Sequence, residues 1–169
     1  IEVMGRYTGW IAMEAGIAGG ADIILVPEFP IDIDKVCESL RARHSRGKTF
    51  SIIVVSEGAV IAGYQQPTDR NQPPRRVGKI GELLANLIEE KTGYETRVSV
   101  LGHIQRGGTP TAYDRIIGTR FGFKAVDLIM EGKFGQMVSM HDNKIRSVDI
   151  KEAVSKRKAI DKDLYEIAQ

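Results

Sequence analysis

The stretch Arg97-Val98-Ser99-Val100-Leu101-Gly102-His103-Ile104-Gln105-Arg106-Gly107-Gly108-Thr109-Pro110, followed by Asp114-Arg115, decides how this chain is read. Residues 96 to 101 have the β-branched character of a strand, and Gly102 opens a turn. A long helix is expected from Pro110, with Thr109 as its cap. Arginines, a histidine and unpaired backbone N–H groups then converge where strand gives way to helix. A helix N-terminus offers free donors and partial positive charge, and a guanidinium adds a planar fork matched to phosphate oxygens. The segment is suited to holding a phosphate.

Outward from this stretch, strand-like and helix-like segments alternate, which predicts an α/β fold: a Rossmann-like, mostly parallel sheet flanked by helices. Ile1 to Val3 reads as a strand end and Met4-Gly5-Arg6-Tyr7 as a turn. Thr8 then caps a helix that stops at Gly19-Gly20. Ile23 to Val26 is a short apolar strand. Asp32 begins a helix with Ile33, Val36, Cys37, Leu40 and His44 on one face, and Phe50 to Val55 is a buried strand. Residues 58 to 78, with Gly63, Pro67, Pro73, Pro74 and the cations Arg70, Arg75 and Arg76, read as an irregular insertion loop. The spacing of Ile80, Leu83, Leu84, Leu87 and Ile88 predicts a helix over residues 78 to 91.

The helix from Pro110 is expected to reach Glu131, with Tyr113, Ile116, Ile117, Leu128 and Ile129 toward the core. A hairpin follows around Asp142-Asn143, then a weak helix over residues 150 to 156 and a charged tail. The expected organisation is a ligand-binding portion, residues 1–109, and a C-terminal helix and hairpin, residues 110–169, with no linker between independent domains.

With 42% hydrophobic residues among 169, the chain is large enough for a real core. A net charge of +2 argues against nucleic acid or a membrane surface as the main partner. No apolar run approaches the roughly 18 residues that a membrane span requires. The single cysteine, Cys37, lies on the apolar face of its helix, where packing is expected, and suits a reducing cytoplasm. The chain opens on Ile1-Glu2-Val3 as if entering mid-strand, so a fragment of a longer protein is expected.

Open α/β sheets place ligands at the carboxyl ends of their strands. Met4-Gly5-Arg6, Glu57 and the run from His103 to Gly108 each follow a predicted strand, and parallel strands would bring them to one edge. Together they offer a carboxylate for sugar hydroxyls and cations for a phosphate. Gly19-Gly20-Ala21-Asp22 ends a helix and lacks the Gly-Lys-Ser/Thr of a phosphate loop. Asp32 and Asp34 sit where capping and the helix dipole account for them. His44 and His141 have no partners at zinc-like spacing.

Met4-Gly5-Arg6-Tyr7-Thr8-Gly9 and Leu101 through Pro110, with Asp114-Arg115, resemble the bacterial-type 6-phosphofructokinases, and the likeness extends to about residue 148. It implies that Met4, Gly5 and Arg6 contact fructose 6-phosphate, that Glu57 holds sugar hydroxyls, and that His103, Ile104, Gln105 and Arg106 bind the 6-phosphate. It further implies that Arg97 reaches a neighbouring subunit's site in a homo-oligomer, expected as a tetramer. The reaction implied is phosphoryl transfer with magnesium from ATP to the sugar's 1-hydroxyl.

The family's Gly-Gly-Asp segment, for nucleotide and magnesium, and its Thr-Ile-Asp-Asn-Asp segment, with the catalytic aspartate, do not occur here. No catalytic residue or metal ligand is therefore expected in this chain, which by itself is expected to be inactive. The 58–77 loop and Gly9-Trp10 resemble a longer subgroup containing both ATP and pyrophosphate users, so pyrophosphate remains an alternative donor. A non-catalytic sugar-phosphate binding module is the rival from another class. Asp22, Arg46 and Lys48 fall where nucleotide-regulated members place effector contacts.

Overall fold

The computed structural model describes residues 1–64 and 80–168, so Arg70, Arg75 and Arg76 lie outside the described residues. Three strands, β1 (Glu2–Val3), β2 (Ile23–Leu25) and β3 (Ile53–Ser56), form a parallel sheet in the order β1-β3-β2. Register is set by Glu2 opposite Val55 on one side of β3 and by Ile24 opposite Val54 on the other. Alternation along the strands then builds two cores. Leu25 and Val55 face Val36, Cys37 and Leu40 of α2 (Ile33–Ser45) and Leu84, Leu87 and Ile88 of α3 (Ile80–Thr92). Val3, Ile24, Val26 and Val54 face Ala12 and Met13 of α1 (Trp10–Ala18), with Ile160 on the same side. Burial on both faces explains why these strands read as continuous apolar runs.

The helix starts show how tertiary contacts substitute for local caps. Asp32 caps α2 as its sequence suggests, its carboxylate accepting from Asp34 N and Lys35 N. For α1 the expected cap at Thr8 is not formed. The cap position is Gly9, and Glu28, just beyond β2, accepts from Gly9 N at 3.1 Å. Glu2 acts similarly from β1: it is buried at 2% exposure, and its Oε2 accepts from Gly81 N at the start of α3 at 2.9 Å. A carboxylate there meets both unpaired donors and the positive end of the helix dipole. Cys37 is buried as expected, and that burial pushes its thiol pKa up.

The expected strand over residues 96 to 101 is mostly extended chain outside the ladder. It touches the sheet at Val100, which bridges to Glu2 in parallel, with Glu2 N donating to Ser99 O and Leu101 N donating to Glu2 O. Strand β3 begins three residues later than Phe50, which is 72% exposed.

The chain divides into two compact units, residues 1–107 with 159–169, and residues 108–158. In the second, α4 (Ala112–Met130) precedes an antiparallel hairpin of β4 (Gln136–His141) and β5 (Lys144–Asp149), then α5 (Ile150–Ser155). Asp142 and Asn143 both take positive φ, the conformation of a two-residue hairpin turn. The expected cap of α4 is corrected by two residues. Thr111, not Thr109, caps it in a reciprocal box with Asp114, because an acceptor three residues on can return the bond. The expected core face is also corrected: Leu128 is buried, whereas Tyr113, Ile116 and Ile129 are exposed within this chain. The charged tail instead forms α6 (Lys162–Ile167) within the first unit, where Tyr165 stacks on Phe29 with ring centroids 4.0 Å apart.

Candidate sugar-phosphate site

Strands β1 and β3 end side by side and their pairing continues into the loops beyond them. Glu57 N donates to Val3 O at 2.8 Å and Gly58 N donates to Gly5 O at 3.0 Å, so the turn Met4-Gly5-Arg6 lies against Glu57-Gly58. Gly5 N faces Glu57 Oε1 at 3.5 Å, the outer limit of a hydrogen bond. Gly5 is fixed as glycine for two reasons: its φ is +146°, and a Cβ would sit 2.7 Å from Ser56 Oγ and 2.8 Å from Thr8 O.

The third segment arrives beside β1. After Val100 the chain enters a 3-10 turn, Gly102–Arg106, from which Gln105 reaches back and accepts a hydrogen bond from Met4 N at 2.8 Å. This joins residues that are 101 apart in sequence. Met4, Gly5, Glu57 and Gln105 are therefore in one hydrogen-bonded neighbourhood at the C-terminal ends of parallel strands. Arg6, His103, Ile104 and Arg106 belong to the same turns and are exposed. Among the described residues, no hydrogen bond or ion pair occupies the side chains of Arg6, His103 or Arg106.

The helix start expected after the phosphate turn belongs to the second unit. The first turn of α4 is capped by its own Thr111 and by a carboxylate, Asp114, whose pKa is held below the ordinary range by hydrogen bonds from Thr111. Within the first unit, Arg106 on the 3-10 turn and Arg6 are cations suited to an anion.

The remaining candidates lie elsewhere. Arg97 is exposed and pairs with Glu95 at 2.9 Å. With Lys48 it lines a cavity of about 710 Å³ that includes Ile1, Phe50 to Ile53 and Tyr94 to Val98, at the opposite, N-terminal ends of the strands. Asp22 is committed to the fold, paired with Arg43 at 2.5 Å and accepting from Ile52 N at 2.8 Å. Arg46 Nε donates to Ala42 O in its own helix. Among the described residues, no three His, Cys, Asp or Glu side chains gather as a metal-ligand set, and no helix is long and apolar enough to cross a membrane. The described side chains thus supply no magnesium cage.

Gly58, Glu28 and Glu2 are not among the candidates the sequence offers, although Gly58 packs against the Arg6 turn and the two carboxylates hold helix starts from distant strands. For Glu28, its place directly after Ile23-Ile24-Leu25-Val26-Pro27 at a strand end was the available signal.

Fold and site together define a parallel α/β protein whose candidate ligand groups stand at the strand ends. The family model described as Phosphofructokinase matches residues 1–129. The chain belongs to the phosphofructokinase family. It is 45% identical over 167 residues to the ATP-dependent 6-phosphofructokinase of Spirochaeta thermophila, covering 96% of this chain and 46% of that protein. It is equally 45% identical, over 173 residues, to the pyrophosphate–fructose 6-phosphate 1-phosphotransferase of Amycolatopsis methanolica, covering 100% of this chain and 50% of that one. The crystal structure of Pichia pastoris phosphofructokinase in the T-state superposes with a TM-score of 0.73 at 33% identity, over 91% of this chain and 17% of the other. The chain spans about half the length of the curated relatives it matches.

Proposed function

We propose that this chain forms the sugar-phosphate-binding part of a 6-phosphofructokinase acting in the cytoplasm, which transfers a phosphoryl group from ATP to the 1-hydroxyl of fructose 6-phosphate. The observation that carries this reading is the hydrogen bond from Met4 N to Gln105 Oε1, which joins two distant signature turns beside Glu57. Around it, the side chains of Arg6, His103 and Arg106 are exposed.

In this reading His103 and Arg106 hold the 6-phosphate, Glu57 accepts from sugar hydroxyls, and Met4, Gly5 and Arg6 line the acceptor end. Ile104 and Gln105 complete the phosphate turn. The hydroxyl oxygen attacks the terminal phosphorus of the donor, the bond to the departing ADP breaks, and the hydroxyl proton passes to a base. The part of the family's length outside this chain would supply that base and would hold the nucleotide and a magnesium ion, which would neutralise the donor's charge. Arg97 serves the site of a neighbouring subunit in a homotetramer, and Arg46 and Lys48 belong to an effector region in which Asp22 serves the fold by holding Arg43 and Ile52 N. Pyrophosphate is the alternative donor, because the chain is 45% identical to a pyrophosphate-using relative as well as to an ATP-dependent one.

The test is calorimetric titration of fructose 6-phosphate into the wild-type protein and the Arg106→Ala variant. A charge-assisted contact of about 1.5–3 kcal/mol predicts a loss of roughly ten- to a hundredfold in affinity. Equal affinity in both proteins would remove Arg106 from the site.

A further inference from the structure

Gln105 occupies a different position from its neighbours on the phosphate turn. His103, Ile104 and Arg106 are exposed, whereas Gln105 is half-buried and turned back on the sheet. Its partner, Met4 N, can only donate, so the oxygen of the amide must face it. That assignment fixes which way round the side-chain amide sits, and it leaves the two Nε2–H donors directed away from Met4. Nothing else among the described residues ties the side chains of residues 102–106 to the turn at residues 4–6. The backbone link between the two segments ends one step earlier, where Leu101 N donates to Glu2 O.

We propose that Gln105 is a positioning residue: its Oε1 straps the 3-10 turn to Met4 and so sets the spacing between the two ligand-binding turns before any ligand arrives. The inference rests on the sugar-phosphate reading for its functional consequence, but the strap itself stands on the geometry of the free protein. Among the described residues, the Met4-Gly5-Arg6 turn is otherwise held only toward β3, by Gly58 N donating to Gly5 O and Gly5 N facing Glu57 Oε1, and the 3-10 turn follows the last backbone bond to β1 at Leu101. Both also contain glycine in left-handed conformations, Gly5 at φ +146° and Gly102 at φ +51°, so neither is stiff by composition. A side-chain acceptor on Met4 N removes that freedom. Preorganisation of this kind improves affinity by lowering the ordering required on binding.

The experiment compares wild type, Gln105→Met and Gln105→Glu in the full chain. Methionine keeps the side-chain length and removes the acceptor, whereas glutamate keeps an acceptor for Met4 N. The first measurement is hydrogen exchange of the Met4 amide by NMR without ligand. Exchange is expected to be about tenfold or more faster in Gln105→Met and to return toward wild type in Gln105→Glu, with thermal midpoints close together. Equal Met4 exchange in wild type and Gln105→Met overturns the strap, whatever the protein binds.

The second measurement is fructose 6-phosphate affinity. It is expected to weaken about tenfold in Gln105→Met. It should also weaken in Gln105→Glu, where the strap is kept but a carboxylate faces the phosphate. Unchanged affinity in Gln105→Met, despite faster Met4 exchange, would sink the functional half of the proposal. No binding to wild type would instead refute the sugar-phosphate reading and leave the exchange result to judge the strap.

Discussion

A side chain at Gly58 would place its Cβ 1.9 Å from the carbonyl oxygen of Arg6 and 2.8 Å from its Cα. The obstruction is backbone, so it cannot be relieved by a change of rotamer. The two loops pack this closely because Gly58 N donates to Gly5 O, continuing the β1–β3 pairing one step past the strands. Gly58→Ala must therefore push the Arg6 turn outward. It is expected to cost about 1–3 kcal/mol in urea denaturation, as overpacking does, and to weaken fructose 6-phosphate binding as well. A variant with wild-type stability and affinity would show that the two loops have room to part.

Arg97 has a partner in its own chain, Glu95, and both are largely exposed, so the pair is available for exchange. Exposed pairs of this kind are worth at most about 1 kcal/mol, and a bound phosphate would outcompete Glu95. If Arg97 completes a neighbour's site, co-assembling Arg97→Ala subunits with His103→Ala subunits should restore part of the sugar-phosphate binding that each loses alone. Mixed assemblies that form but bind nothing would rule out a shared pocket.

The capping box of α4 gives a pH dependence with a definite sign. Hydrogen bonds from Thr111 hold the Asp114 carboxyl below its ordinary range. A depressed folded-state pKa contributes stability that is present above the unfolded value and is lost as pH falls through the folded one. A carboxyl titration by NMR should give Asp114 an acid-shifted midpoint, returning to the ordinary range in Thr111→Ala. That substitution should also cost about 1 kcal/mol. An Asp114 midpoint unmoved by the substitution would show that the box does not persist in solution.

The C-terminal segment is tied into the first unit at Ile160, which is 8% exposed and whose N–H faces Glu28 Oε1 at 3.4 Å. The same carboxylate caps α1 through Gly9. Ile160→Ala should lower stability by roughly 2–4 kcal/mol by the loss of buried methylenes, measured by urea denaturation. A change below about 0.5 kcal/mol, ordinary for a surface site, would mean that the segment is not docked.

Apolar patterning was sufficient to locate β2, α2 and α3, because in each it reports a face that is buried. In α4 it located the helix, but the apolar face at Tyr113, Ile116 and Ile129 is exposed within this chain. Asp142-Asn143 was legible as a turn because few other pairs tolerate two successive positive φ values. The site residues were legible through their place after strands. Their relation to one another was not, since Met4 and Gln105 are 101 residues apart and no local rule pairs them.

The sequence by itself determined most of the strands and helices (though not the extended chain at residues 96–101), which faces of the sheet are apolar, and which cations and carboxylate stand at strand ends. Those properties follow from side-chain pattern and backbone preference, which act over a few residues. Only the tertiary structure decided that Glu28 and Glu2 cap helices in place of local residues and that α4 is capped at Thr111. It alone decided that the tail packs as α6, and that Gly58 and Gln105 clamp the turn at Met4-Gly5-Arg6 from two sides. These depend on which unpaired donors and close-packed backbones meet once distant strands are laid side by side.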